Sequence, residues 1–296
     1  MDPDSPRHTS TELSDRLPDP GLEGRFVFDF RSFDDPDEGQ RWSTWLSVEP
    51  LCRGPEPWPD WLVTSQAALD TELGVLKTGK EADVFLVERA VPDDPGQAVV
   101  MAAKRYRTEE HRSFHRSAGY TEGRRTRNSR DGRAMAKKTE HGRAVAAGQW
   151  AGAEWEALKR FWLAGVPVPY PVQIDGTEIL MEYVEYDGEA APRLAQTRPS
   201  QRLLASYFEQ LREAMMVLAR HGVAHGDMSA YNVLAAGERL VIIDLPQAVD
   251  IVANPAGMEY LMRDCRNVCS WFVARGLGPD VADEHALFAD LVASAY

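Results

Sequence analysis

The sequence predicts an α+β protein of two lobes, in which a small antiparallel sheet with one main helix precedes a reduced, mostly helical half. Two observations favour this class. Runs of β-forming residues separated by Gly and Pro turns occupy the first half, whereas long amphipathic patterns dominate the second. Strands and helices that are segregated along the chain are typical of α+β proteins. With 296 residues and 44% hydrophobic content, the chain can bury a sizeable core.

The composition divides the chain into three segments. Residues 1–57 are rich in Pro, Asp, Glu and Ser, and we interpret them as a disordered acidic leader. Its aromatic run at residues 26–33 is either a segment packed on the body or a docking segment for a partner. Residues 58–184 form the predicted N-lobe, and residues 185–296 form the predicted C-lobe.

The N-lobe pattern begins with a short predicted helix over residues 61–69. Three β-rich runs follow, at Val75, at residues 84–87 and at residues 99–101. A helix is predicted over residues 149–163, because its large apolar residues recur at helical spacing and Gly165 follows. Two more strands are predicted at residues 172–174 and 179–184.

Helices dominate the predicted C-lobe. A long helix over residues 200–221 carries an apolar stripe at spacings of three and four, which predicts core packing. The stripe consists of Leu204, Phe208, Leu211, Met215 and Leu218. Gly222 ends this helix, and two further helices are predicted over residues 254–275 and 279–294.

The formal charge of -13 argues against general affinity for nucleic acid, and we expect no DNA partner. The charge is uneven, however, since residues 104–143 contain 13 Lys and Arg against 5 Asp and Glu. They largely coincide with a predicted basic insertion at about residues 105–147, between the third strand and its helix. This insertion is either a solvated loop or a contact for RNA, a ribosomal particle or an acidic partner.

Cysteine usage and hydropathy indicate a protein of the reducing cytoplasm. The three residues Cys52, Cys265 and Cys269 are too few for a disulfide framework, and the start of the chain lacks a signal-peptide pattern. Cys265 and Cys269 are four residues apart on a predicted helix, which favours core packing over a zinc site. No apolar run approaches the roughly 18 residues of a membrane span, so we expect no membrane partner.

A carboxylate and an amide lie five residues apart in the sequence His-Gly-Asp-Met-Ser-Ala-Tyr-Asn at residues 225–232. An apolar run then ends at Asp244. Phosphoryl transfer needs one carboxylate to orient the acceptor hydroxyl, and oxygen ligands to hold Mg²⁺ on the triphosphate. We therefore predict Asp227 as the catalytic carboxylate, and Asn232 and Asp244 as metal ligands.

A second group of residues lies upstream. Residues 77–84 contain a Gly turn between two strands, where backbone N–H groups could cover phosphates. Residues 74–80 also match the P-loop pattern, but Glu81 replaces Ser or Thr and a strand pattern follows, so we reject that interpretation. Lys104 ends the third strand and could reach the α- and β-phosphates. Its favoured partner is Glu154, with Glu156 as the competing carboxylate.

With these motifs, residues 58–280 resemble the RIO family of atypical protein kinases, in particular its RIO1-type branch. The resemblance implies a protein-kinase-like fold, ATP as the phosphoryl donor, and Mg²⁺ with Mn²⁺ as an alternative. It implies Asp227, Asn232, Lys104 and Glu154 as the catalytic group. The implied nucleotide contacts are Lys77, Thr78, Gly79, Lys80, Glu81, Val84, Lys104, Met181, Glu182, Tyr183 and Leu234, with residues 181–183 as the hinge that faces adenine.

The resemblance implies a serine/threonine protein kinase, or an ATPase that transiently phosphorylates Asp244. Two residues depart from the family pattern: Ala230 stands where an acidic residue is expected, and Pro246 replaces a small polar residue. Only 52 residues follow Asp244, without an Ala-Pro-Glu signal, which argues against a full peptide-binding lobe.

Two other functions stay open. One is a small-molecule phosphotransferase of the aminoglycoside or choline type, which shares the His-Gly-Asp-x-x-x-x-Asn loop but is expected to carry a larger helical lobe. The other is an ATP-gated assembly factor for a ribonucleoprotein, in which kinase activity is incidental. The basic insertion favours this last function.

Overall fold

The computed structural model describes residues 36–107, 140–245 and 248–295. Its N-lobe is built on six antiparallel strands: β1 (Gln40–Trp42), β2 (Leu69–Thr78), β3 (Ala82–Val91), β4 (Asp94–Tyr106), β5 (Pro171–Asp175) and β6 (Glu178–Glu182). They form one sheet in the order β1-β2-β3-β4-β6-β5. Strand β3 therefore follows residues 74–80, where a P-loop would require a helix. The rejection of the P-loop is confirmed.

One long helix, α1 (Glu140–Leu163), connects β4 to β5 and packs on the sheet. Trp155, Leu158 and Phe161 are almost fully buried on its inner face. The helix begins at Glu140 rather than at residue 149, because its first turns contain mainly Ala and Gly, which show no apolar stripe in the sequence. The helix ends at Leu163, and Gly165, two residues later, has a φ of 80°, which suits the left-handed turn that follows a helix.

Three helices form most of the C-lobe: α2 (Gln201–Arg220), α3 (Gly257–Ala274) and α4 (Glu284–Ala295). Short strands lie along the chain between β6 and α3: β7 (Glu185–Tyr186), β8 (Glu189–Ala190), β9 (Val223–Ala224), β10 (Val233–Ala236), β11 (Arg239–Ile242) and β12 (Val249–Asp250). The three two-stranded pairs are β7 with β8, β10 with β11, and β9 with β12. The predicted α+β fold with one N-lobe helix and a mostly helical C-lobe is confirmed.

Helix α2 matches its predicted limits closely. The Ser200 side chain accepts a hydrogen bond from the Leu203 N–H at 3.4 Å, which caps the first turn. All five residues of the predicted apolar stripe are buried, and so the prediction of core packing is confirmed. Cys265 and Cys269 are buried in the same core, and the described residues contain no cluster of three or more His, Cys, Asp or Glu that could hold a metal.

Residues 36–57 belong to the fold, although their composition suggested a disordered leader. Trp45 is 1% exposed and packs edge-on against Trp58, with ring centroids 5.3 Å apart. The carbonyl of Leu51 accepts hydrogen bonds from the Trp155 and Lys159 side chains of α1. The buried Trp45 and the hydrogen bonds to Leu51 therefore hold residues 36–57, which we call the strap, against the N-lobe. Residues 1–35, including the aromatic run at 26–33, lie outside the described residues.

The predicted helix over residues 61–69 is wrong. These residues form turns and then enter β2 at Leu69. Trp61 packs edge-on against Tyr170, with centroids 5.8 Å apart, so its apolar surface is used by a loop. Most of the basic insertion, residues 108–139, lies outside the described residues. No helix in the part of the chain that the structure describes is long and apolar enough to span a membrane.

A buried ion pair between β2 and β3 also contacts the edge strand β5. The Arg89 guanidinium donates to both oxygens of Asp70, at 2.6 and 2.9 Å, and to Gln173 Oε1 at 3.0 Å. Gln173 in turn donates to Thr44 Oγ1 at 2.7 Å, which connects β5 to the strap. The side chains of Arg89 and Asp70 are 0% and 1% exposed. Removing one partner would leave an uncompensated charge in the interior.

Asp70→Ala is expected to lower the free energy of unfolding by about 3–5 kcal/mol, because Arg89 would lose its buried counter-charge. Urea unfolding followed by circular dichroism measures this loss. Arg212→Ala is the control, since the pair of Arg212 with Asp290 lies on the surface and its removal should cost no more than about 1 kcal/mol. Equal losses in the two variants would contradict the structural role of the buried pair.

Candidate active site

A lysine between two carboxylates joins three parts of the molecule. Lys104 near the end of β4 donates to Glu154 Oε1 of α1 at 2.7 Å and to Asp244 Oδ1 after β11 at 3.1 Å. Glu154 is 2% exposed, so its carboxylate is available only inside the lobe. Glu156 points elsewhere on α1 and pairs with Lys159 at 2.8 Å. The structure thus brings Lys104, Glu154 and Asp244 together and leaves Glu156 outside the site.

The electrostatics of this cluster follow from its burial. Burial alone would lower the pKa of Lys104, but the charges of Glu154 and Asp244 outweigh it and hold the pKa well above its ordinary value. Lys104 in turn holds the pKa of Asp244 below its ordinary value, with smaller contributions from His225 and Lys77. At neutral pH Lys104 is therefore an ammonium group, and Asp244 beside it is an ionised carboxylate.

The β10–β11 hairpin determines where the predicted metal ligands lie. Val233 pairs with Ile242, and the Ile243 N–H donates to the Asn232 carbonyl at 2.9 Å. Asn232 and Asp244 therefore leave the hairpin at the same end. Asp244 has a φ of 67°, a left-handed conformation that is uncommon outside Gly, Asn and Asp.

Asp227 lies beside Asn232 in the loop of residues 225–232, which we predict as the catalytic loop. The Asn232 Nδ2 donates to the backbone carbonyl of Asp227 at 2.9 Å and to its Oδ2 at 3.3 Å. His225 Nε2 lies 3.2 Å from the Ile243 carbonyl, which connects the catalytic loop to the strand end that carries Asp244. Asp227, Asn232 and Asp244 thus belong to one connected group. Ala230, the departure from the family pattern, is buried in the core at 6% exposed.

The oxygens of this group fit a magnesium ion. Asn232 donates from its amide nitrogen to Asp227, so its amide oxygen can serve as a metal ligand. The partly exposed carboxylate of Asp244 can serve as a second ligand. Mg²⁺ prefers such oxygen ligands and usually binds through only one or two protein groups plus phosphates. The chemistry of the donors is therefore compatible with Mg²⁺ or Mn²⁺ and does not resemble a thiolate or imidazole site.

Residues 77–84, predicted as the nucleotide loop, turn sharply at Gly79. The Gly79 N–H donates to the Ala82 carbonyl at 3.0 Å, and a Cβ at Gly79 would lie only 2.7 Å from that oxygen, so the turn requires glycine. Burial and the charge of Asp244 raise the pKa of Glu81, which places Glu81 near the end of the hairpin that carries Asp244. Thr78 and Lys80 flank the turn and are exposed.

Lys77 also lies near Asp244. Its pKa is lowered by burial and by the positive charge of Arg193, whereas Asp244 acts in the opposite direction. Arg193 donates to the carbonyl of Tyr231 in the catalytic loop and pairs through its backbone with Leu234. Sequence reasoning missed Arg193, because its proximity to Lys77 depends entirely on the tertiary fold.

The predicted adenine-facing residues have different environments. Met181 is buried at the end of β6, and Tyr183 follows the strand at intermediate exposure. Glu182 uses its side chain on the Tyr170 N–H at 3.0 Å and on Arg239 at 3.2 Å. Its backbone N–H also donates to the Tyr170 carbonyl at 2.8 Å, so neither the side chain nor the N–H of Glu182 is free to bind a nucleotide.

Two apolar residues complete the predicted nucleotide contacts. Val84 on β3 packs, partly buried, against the main core. Leu234 on β10 packs against a small cluster formed by Val184, Ala191 and Val241, just after the hinge segment. Val84 and Leu234 therefore come from the sheet of the N-lobe and the hairpin of the C-lobe.

Asp264, an aspartate of α3, anchors the backbone of the predicted catalytic loop. Asp264 is 1% exposed and accepts hydrogen bonds from the N–H groups of Gly226 and Met228, both at 2.8 Å. On the same helix, Arg263 donates to the Gly226 carbonyl, and Asn267 donates to the Met228 carbonyl at 3.1 Å. Sequence reasoning missed this anchor. The available signal was a carboxylate within the apolar stripe of a predicted helix.

The fold and this cluster define the class of the protein: a two-lobed protein of the protein-kinase-like type. The sequence profile described as the RIO domain matches residues 84–286. The chain therefore belongs to the RIO family of serine/threonine protein kinases.

Curated relatives support this assignment. The chain is 37% identical over 212 residues to the RIO-type serine/threonine-protein kinase Rio1 of Haloferax volcanii, which covers 72% of this chain and 67% of the relative. It is 31% identical over 140 residues to the human serine/threonine-protein kinase RIO3, covering 47% of this chain and 27% of the relative. Identity to the yeast serine/threonine-protein kinase RIO1 is 26% over 223 residues, covering 69% and 44%. The matched region thus spans less than half of the human and yeast relatives.

Asp264→Ala is expected to lower the free energy of unfolding by about 2–5 kcal/mol, because two buried backbone N–H groups would lose their acceptor. Urea unfolding measures the loss. Asp283→Ala is the matched control, since Asp283 also accepts from two backbone N–H groups, those of His285 and Ala286, but is exposed to water. A loss as small as that of the control would show that Asp264 does not anchor the loop.

Proposed function

We propose that the protein transfers the γ-phosphoryl group of ATP, bound with Mg²⁺, to a serine or threonine hydroxyl. The observation that carries this proposal is the convergence of Lys104, Glu154 and Asp244 beside the Asp227–Asn232 pair. In phosphoryl transfer the protein mainly positions the reactants and neutralises charge, and this cluster offers a group for each task. Family membership favours a protein kinase over a small-molecule phosphotransferase.

Each residue has a separate role in this proposal. Lys104 binds the α- and β-phosphates, and Glu154 holds its ammonium group in place. The Gly79 turn covers the phosphates with backbone N–H groups, and residues 181–183 face adenine. Mg²⁺, held by Asn232 and Asp244, would neutralise the charge of the triphosphate.

Asp227 orients the acceptor hydroxyl and accepts its proton as the hydroxyl oxygen attacks the γ-phosphorus, while the bond to the β–γ bridging oxygen breaks and ADP leaves. The bond from the Asn232 amide to Asp227 Oδ2 fixes the carboxylate for this task. In an ATPase mode, an oxygen of Asp244 attacks the γ-phosphorus and ADP leaves, after which water hydrolyses the acyl phosphate. A trapped acid-labile phosphate that is absent from Asp244→Asn would support that mode.

ATP turnover with Mg²⁺ tests the proposal directly. Asp227→Ala and Asp244→Asn should each lower kcat at least about a hundredfold, because each removes a group that acts on the reacting phosphate. Asp93→Asn is the control for Asp244→Asn: Asp93 also has a positive φ, of 63°, but lies in the exposed turn between β3 and β4. Wild-type protein that neither binds nor hydrolyses ATP would refute the phosphotransferase function.

A second proposed function is that of an ATP-gated assembly factor that contacts RNA or a ribosomal particle. The excess of positive charge over residues 104–143, within an otherwise acidic chain, favours it. Stimulation of ATP turnover by such particles, without labelling of a protein acceptor, would separate this function from a protein kinase. The scarcity of cysteine agrees with action in a reducing cytoplasm.

Neutralising Arg124, Arg125, Arg127 and Arg130 together is expected to weaken RNA binding and to flatten its dependence on salt, because fewer counterions are released. Filter binding at several salt concentrations measures both effects. Arg212→Ala is the control. It removes one surface arginine of the C-lobe and should leave RNA affinity unchanged. If the RNA affinity of wild type did not depend on salt, or equalled that of the neutralised variant, the result would contradict an RNA contact.

A further inference from the structure

Tyr106 is a buried polar residue next to the lysine that the proposed mechanism uses. It ends β4 two residues after Lys104, so the two side chains emerge on the same face of the strand. The residue is 5% exposed, and its phenol donates a hydrogen bond to Glu154 Oε2. Lys104 occupies the other oxygen, Oε1, at 2.7 Å. Two residues of one strand therefore hold both oxygens of the Glu154 carboxylate.

We propose that Tyr106 is a positioning residue for phosphoryl transfer: its phenol fixes the Glu154 carboxylate, so that Lys104 is held between Glu154 and Asp244 where it meets the phosphates. This inference rests on the proposed function of the site. Tyr106 acts through Glu154 and makes no contact of its own with the reacting group.

The position of the phenol is set by the backbone on both sides of it. The Tyr106 N–H donates to the Thr177 carbonyl at 3.0 Å, which fastens the strand end to the turn before β6. The next residue, Arg107, donates from its N–H to the Glu81 carbonyl at 3.0 Å, and from its Nε to Asp83 Oδ2 at 2.6 Å. The end of β4 is thus tied to the nucleotide loop, and Tyr106 extends that tie to α1.

The hydroxyl has a task that the ring alone cannot perform. The Lys104 ammonium lies 5.3 Å from the centroid of the Tyr106 ring, so phenylalanine would retain this contact. Phenylalanine would leave Glu154 Oε2 without its phenolic donor and let the carboxylate rotate. Lys104 would then sample positions nearer one carboxylate or the other, and the alignment required for phosphoryl transfer would be lost.

Tyr106→Phe is expected to lower kcat for ATP turnover by about tenfold to a hundredfold, and to weaken binding of a non-hydrolysable Mg·ATP analogue several-fold. Tyr207→Phe is the matched control. Tyr207 is 3% exposed and donates its phenolic hydrogen bond to the Gly237 carbonyl, away from the site. Analogue affinity is measured by calorimetry, and all values refer to protein shown to be folded by circular dichroism.

A double-mutant cycle separates positioning from a loss of packing. In a Glu154→Gln background, which preserves side-chain size but removes the ion pair, Tyr106→Phe should cause little further loss of kcat. Additive losses, or a Tyr106→Phe protein that equals Tyr207→Phe in kcat and analogue affinity, would overturn the inference while the proposed function stands. If wild type binds the analogue without turning over ATP, analogue affinity alone decides the role of Tyr106. Wild type that does neither overturns both proposals.

Discussion

The ammonium group of Lys104, shared between Glu154 and Asp244, is the interaction on which the arrangement of the site depends. Its three members come from a strand of the sheet, from α1, and from the loop after the β10–β11 hairpin. Lys104 and Glu154 are largely withdrawn from water, which is costly unless the two charges pair closely, whereas the Asp244 carboxylate stays partly exposed. The position of β4 relative to α1 and the charges of the site are therefore coupled: moving one of these two elements away from the other would leave a buried charge without its partner.

The loop that carries Asp227 and the loop at residues 77–84 are held by different elements: the first by α3, the second by the end of β4. Asp264, Arg263 and Asn267 hold the backbone of the catalytic loop from α3, so Asp227 stands on a base that a packed helix fixes. The nucleotide loop is instead tied to the end of β4. An anchored Asp227 and a loop tied to β4 would suit the proposed phosphoryl transfer, because that reaction relies on preorganised charge.

The elements that the sequence predicted well are those whose signal is local. Helix α2 carries both an apolar stripe and a capping serine. The spacing of Asp227, Asn232 and Asp244 around a short hairpin is also local, and the structure brings these residues together, while their roles stay a prediction. Residues 36–57 escaped prediction because their polar composition hides a few residues, such as Trp45, that pack far from their neighbours in sequence. The segment at 61–69 showed apolar spacing compatible with a helix, but its Trp61 packs from a loop on Tyr170. In that case tertiary packing overrides local pattern.

Asp264 and Tyr106 show why a site cannot be completed from motifs alone. Neither belongs to a recognisable run, and each acts on a residue at least 36 positions away in the sequence. The RIO profile begins at residue 84, so the loop at 77–81 and the strap lie outside the match, and their relation to the site follows from geometry. Arg107 bonds Glu81 of that loop, while Tyr106 bonds Glu154. The end of β4 therefore connects the family-matched part of the lobe to the part that the match leaves out, and a change in either part would reach Lys104 through this strand.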